Sequence, residues 1–121
     1  MISPLEIEFR NAQPTEVVES RIRQEFAELE KFYSRLVSCR VEVEVPEHER
    51  RGGLCNVLVD LGLPPADATA LAELQSLSGK RNTEHMEIRT KRRDAAMAVH
   101  AAFNVARRRL KDLGGTSLSH A

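Results

Sequence analysis

The sequence predicts an α+β domain: a two-layer sandwich in which a four-stranded sheet carries two helices on one face, in the order β-α-β-β-β-α. Two adjacent segments of strict apolar alternation and two long segments of helical apolar period carry that prediction. The 121 residues are 41% apolar but only 4% aromatic, which suits one core built from Val, Leu, Ala and Ile.

Leu5, Ile7 and Phe9 alternate with Glu6, Glu8 and Arg10, the period of a strand buried on one face. Pro14 and Thr15 offer a helix start. Val18, Ile22, Phe26, Leu29, Tyr33 and Leu36 then recur every three or four residues, predicting one helix that runs to Leu36. Over 37–45 the period changes to two: Val37, Cys39, Val41, Val43 and Val45 face one way, Ser38, Arg40, Glu42 and Glu44 the other. Residues 46–53 read as a turn, and Cys55, Val57, Val59, Leu61 and Leu63 form the return strand.

A one-residue slip would turn every inner side chain outward, so one register alone puts both apolar rows inside. It pairs Val45 with Cys55, Val43 with Val57, Val41 with Val59 and Cys39 with Leu61, and it sets Arg40 opposite Asp60 as a cross-strand ion pair. Cys39 and Cys55 then lie six strand steps apart, about 20 Å, beyond disulfide reach. Both are expected as buried free thiols.

Residues 64–84 form a long connection, with a turn or two of helix expected over 71–77. Met86, Ile88 and Thr90 alternate with Glu87 and Arg89 as the fourth strand, ending at Lys91-Arg92-Arg93. Asp94 is a suitable cap for the last helix, whose buried stripe is Ala95, Val99, Ala102, Phe103, Ala106, Leu110 and Leu113. Gly114 and Gly115 are expected to stop it. Residues 1–113 therefore read as a single domain and 114–121 as a flexible tail.

The 18 Lys and Arg balance 18 Asp and Glu, which excludes a uniformly basic nucleic-acid binder. The balance is nevertheless uneven. Residues 1–60 carry a net charge of −4 and residues 61–121 a net +4, with +7 concentrated in 80–111. No apolar run is long enough for a membrane span or signal peptide, so a soluble, cytoplasmic protein is expected. The cysteines and histidines fit no metal spacing, and no nucleophile elbow, phosphate loop or dinucleotide fingerprint is present. The expectation is a non-enzyme with no metal, cofactor or small-molecule substrate. His48, His85 and His100 read as solvated surface histidines, and Gly52-Gly53 as a turn.

The polar side of the last helix is where binding chemistry could sit. At 100° per residue Arg93, His100, Asn104, Arg107 and Lys111 fall within about 60° of one another, with Arg108 adjacent and Lys91 and Arg92 above. Cations and amide donors of this kind suit phosphates and 2′-hydroxyls, while the lack of aromatics argues against stacking of single-stranded bases. The dipole of the helix accounts for cations at 107–111 but disfavours those at 91–93.

The sequence resembles the short form of the ribosome hibernation-promoting factor and ribosome-associated inhibitor A family. The resemblance covers about residues 5–113. It rests on the element order, Leu5-Glu6-Ile7, the Leu-Glu-Lys-Phe-Tyr run at 29–33, His48 with Gly52-Gly53 and Asn56-Val57, and the Asp94 to Val99 and Ala106 to Leu110 stretches. It implies a factor that docks on rRNA of the small ribosomal subunit and blocks translation sterically. The matching contact positions are Lys91, Arg92, Arg93, Arg107, Arg108 and Lys111. It also implies no dedicated dimerisation domain, which in long family members follows this one. Two features depart from the family pattern: the first helix is net acidic, and the 64–84 connection is long. The competing reading is a protein-interaction module using the exposed sheet face or 64–84. A hydrolase would need a carboxylate or histidine pair meeting in a cleft.

Overall fold

A computed structural model describes residues 5–11, 15–45, 54–74 and 85–117. The elements are β1 (Leu5–Arg10), α1 (Glu16–Phe32), β2 (Ser38–Glu44), β3 (Cys55–Gly62), α2 (Pro65–Leu74), β4 (His85–Arg92) and α3 (Ala95–Ser117). They form an α+β sandwich with a four-stranded sheet in the order β1-β2-β3-β4. β1 and β2 are parallel and the other two pairs antiparallel. The predicted turn at 46–53 with His48 and Gly52-Gly53, the helix-start residue Pro14, the 75–84 part of the connection and residues 118–121 lie outside the described residues, as does the side chain of Leu113.

The β2–β3 register is the predicted one: Cys39 opposes Leu61, Val41 Val59, Val43 Val57 and Arg40 Asp60, the ladder ending at Glu44–Asn56, one step short of Val45–Cys55. All six of these inner side chains are buried, and they meet Ile22, Phe26 and Leu29 of α1 and Val99, Phe103 and Leu110 of α3. Ala98, Ala102 and Ala106, four residues apart on α3, are also fully buried. Such small side chains let a helix approach its neighbours closely. Thr15 caps α1 by accepting from the Val18 amide at 3.3 Å, and Asp94 Oδ1 caps α3 by accepting from the Ala96 amide at 2.9 Å. Asn11, at φ 62°, turns the chain out of β1, in the left-handed region that Asn tolerates.

Five local expectations are corrected. First, α1 stops at Phe32: Tyr33 is extended, and its amide closes the helix on the Leu29 carbonyl at 2.7 Å. The apolar period continues through Tyr33 because this residue is buried from outside the helix, with its hydroxyl donating to Asp67 of α2. Second, Val37 is 61% exposed, because the strand begins only at Ser38. Third, Arg40 and Asp60 are opposite but unbonded; Arg40 pairs with Glu42 and Glu8, and Asp60 with His85 at 2.9 Å. Fourth, the middle helix starts at Pro65, a favoured first helical position, rather than at 71. Fifth, α3 runs through Gly114 and Gly115 to Ser117. Each glycine weakens a helix by about 1 kcal/mol without forcing a left-handed stop.

Asp67 anchors α2. It is buried, accepts from Tyr33 and lies 3.4 Å from Arg35 Nε. Burial, then the Asp67 carboxylate, push the Tyr33 phenol well above its ordinary range. Tyr33→Phe should cost about 1.5–3 kcal/mol, the range for hydrogen bonds to charged groups, read as a lower denaturant midpoint at unchanged m value. Cys39 and Cys55 are both buried, and Cys55 Sγ donates to the Arg93 carbonyl at 3.7 Å. Burial, then Asp60 and Glu30, push Cys39 up to about 12, so it is a neutral thiol at pH 8. A thiol assay at that pH should find neither cysteine reactive in the native protein and two in the unreduced denatured chain.

Candidate nucleic-acid interface

The first crossover and the β4–α3 connection place α1 and α3 side by side over the sheet, with α3 contacting α1, β3 and β4. One seam between the two helices carries an acid. Glu25 lies on the apolar stripe of α1, between Ile22 and Leu29, and its side chain is 5% exposed. Its Oε2 is 2.7 Å from His100 Nδ1 and 3.4 Å from Arg21, and its Oε1 is 3.6 Å from Arg107. Among the described residues Oε1 accepts no hydrogen bond, so the Arg107 contact is one of charge rather than of shared hydrogen.

The same side chains continue as a ring. Asn104 Nδ2 lies 3.2 Å from His100 Nε2, and Arg107 donates to Asn104 Oδ1 at 2.6 Å. Because the carboxylate can only accept, Nδ1 of a neutral His100 carries the proton and Nε2 accepts from the Asn104 amide. That orientation leaves the Asn104 oxygen for Arg107, whose other nitrogen returns to Glu25. Four side chains from two helices thus fix one another's tautomer and rotamer.

Three of the eight predicted contact residues, His100, Asn104 and Arg107, are therefore brought together by a carboxylate that helical periodicity alone does not assign to them. Arg107 and His100 are partly committed to Glu25. The available cations lie on either side of this ring. Arg92 and Arg93 are exposed just before α3, Arg93 in the bend rather than on the helical column, while Arg108 and Lys111 are exposed further along. The two groups are separated by about 20 Å of helix. Among the described residues none of these four cations is in an ion pair. Lys91 is not part of this face. It pairs with Asn56 and projects from the opposite side of the sheet, where it lines a cleft of about 590 Å³ with Arg10, Glu42, Glu44, Leu58 and Arg89.

The signal for Glu25 is present in the sequence: a carboxylate at stripe spacing between Ile22 and Leu29 needs a buried partner. Two histidine–carboxylate pairs exist among the described residues, His100–Glu25 and His85–Asp60. Neither lines the cleft, and His100 Nε2 is already occupied by Asn104. Among the described residues no three His, Cys, Asp or Glu side chains gather as metal ligands, and no helix is long and apolar enough to cross a membrane.

No family model and no curated protein matches the sequence. Solved structures do. A ribosomal subunit interface protein from Coxiella burnetii superposes with a TM-score of 0.66 at 5% identity, over 92% of this chain and 97% of that one. The chain has the fold of that interface protein. The N-terminal domain of Protein Y from Thermus thermophilus shares the interface-protein fold too, with a TM-score of 0.60 at 13% identity over 88% and 93% of the two chains. At these identities the interface-protein fold is what is held in common, and contact residues are not transferred by it.

The ring makes a spectroscopic prediction. At alkaline pH, long-range ¹⁵N–¹H correlation spectra should show His100 as the Nδ1–H tautomer, and Glu25→Ala should remove that preference. An Nε2–H tautomer in the unaltered protein would contradict the hydrogen-bond order given above.

Proposed function

We propose that this chain is a ribosome-associated factor that docks on rRNA of the small subunit through the helix layer and keeps the ribosome idle by occupying space. The observation that carries the proposal is the fold shared over more than nine-tenths of both chains with a ribosomal subunit interface protein. The helix layer supports it independently, because Arg92 and Arg93 just before α3 and Arg108 and Lys111 further along it are exposed cations. Two clusters about 20 Å apart suit a phosphate backbone held at two points, with the Glu25 ring as the spacer between them. Action is steric, and the side chains of the layer are asked only to bind and orient.

Electrostatics set the expected behaviour. The β2 and α1 carboxylates oppose long-range attraction, so binding depends on orientation and weakens with salt. Purified protein should co-pellet with salt-washed small subunits at low ionic strength. Replacing Arg92, Arg93, Arg108 and Lys111 by Ala should abolish most of that binding and reduce its salt slope by up to about 4, one for each phosphate no longer neutralised. Failure of the unaltered protein to co-pellet would overturn the proposal. Binding insensitive to both salt and these substitutions would move the interface to the sheet face.

A further inference from the structure

The outward rows of the sheet carry a charge pattern that docking through the helix layer does not use. At three successive levels the register aligns Arg40, Asp60 and Glu87, then Glu42, Leu58 and Arg89, then Glu44, Asn56 and Lys91. Along β2 the signs therefore run plus, minus, minus, and along β4 they run minus, plus, plus. Every level is reversed. β2 and β4 are two strand spacings apart, about 9.6 Å, too far for these opposites to pair within one sheet. The ion pairs formed are others: Arg40 with Glu42 and Glu8, Arg10 with Glu42 and Glu8, Arg89 with Glu87, and Asp60 with His85.

A second copy of the sheet satisfies the pattern. A two-fold axis running along β3, just above it, keeps each level in place and exchanges the two sides, so β2 of one copy lies over β4 of the other. Arg40 then faces Glu87, Glu42 faces Arg89 and Glu44 faces Lys91, each twice, while Leu58 meets its own copy on the axis. Aligned sheets pack face to face in this manner. Two alternative axes do worse. One laid over β2 sets Glu42 and Glu44 on themselves, and one laid across the strands at the Leu58 level sets Glu42 on Glu42 and Arg89 on Arg89. The single like-charge meeting in the favoured arrangement is Asp60 on Asp60, and each is already held by His85 at 2.9 Å.

We propose that the outer sheet face is an interface with a second copy of this chain, selected by the sign reversal between β2 and β4. Three overlapping strands give a footprint of about 25 by 14 Å on each copy, below the range of stable protein interfaces, so the dimer is weak and in exchange with monomer. Its stability rests on charge and falls with salt. The helix layer points away from the interface in both copies, which makes self-association independent of the function proposed above.

Analytical ultracentrifugation of the whole chain tests this. A monomer–dimer equilibrium is expected up to about 0.5 mM protein at low salt, shifting to monomer at about 0.5 M salt. The pair Glu42→Arg and Glu44→Lys should give monomer, as should the pair Arg89→Glu and Lys91→Glu. Mixing these two charge-reversed proteins should restore a heterodimer, since an all-positive β2 row then faces an all-negative β4 row. Circular dichroism establishes that both fold; if either does not, Glu44→Lys and Lys91→Glu alone, at the strand ends, replace the pairs. A monomer at every concentration in low salt would overturn the proposal, and so would self-association unaffected by reversal or no recovery on mixing. The β2-reversed protein should still co-pellet with small subunits, so loss of dimer and loss of ribosome binding are separate outcomes.

Discussion

The burial of only one sheet face is the constraint from which the rest follows. Val41 and Val43 are fully buried beside Val57 and Val59, while Arg40, Glu42, Leu58 and Asp60 project the other way. A slip by one residue would exchange the two sets. Because the inner row is apolar along β2, β3 and β4, both long helices must lie on that side, and each meets the sheet with a continuous stripe. The charged rows are left to solvent on the other. Two surfaces of different chemistry are therefore built into one pattern of alternation.

The helix layer shows how a neutral chain can still offer a basic face. Glu25 is drawn into the seam between α1 and α3, where it neutralises the middle of the α3 column through His100 and Arg107. Charge at the two ends is left available. A buried carboxylate so placed also fixes how the two helices meet, because its partners are on both. The interface-protein fold is thus compatible with a sequence whose overall charge is zero.

Much of this is legible in the sequence because it depends on short-range periodicity. The alternation at 39–43 and 55–61 specifies the hairpin register residue by residue, and Asp94 specifies the start of α3. What is not legible depends on groups distant along the chain. Tyr33 keeps helical spacing but leaves α1 because Asp67, 34 residues later, binds its hydroxyl. Within its own helix Glu25 is one acid among several, whereas its role comes from His100, 75 residues away. Lys91 joins the α3 column by proximity in sequence, yet strand alternation sends it to the other face. The start of α2 is hidden because its apolar residues show no period, and Pro65 marks it only once a helix is assumed there.

The central claim is that the α3 layer, rather than the sheet face, meets the ribosome. Lysine acylation footprinting of the chain bound to small subunits, at micromolar protein, tests it with a control inside the molecule. Protection of Lys111 with Lys91 still reactive is the result predicted. Protection of Lys91 with Lys111 still reactive would contradict it.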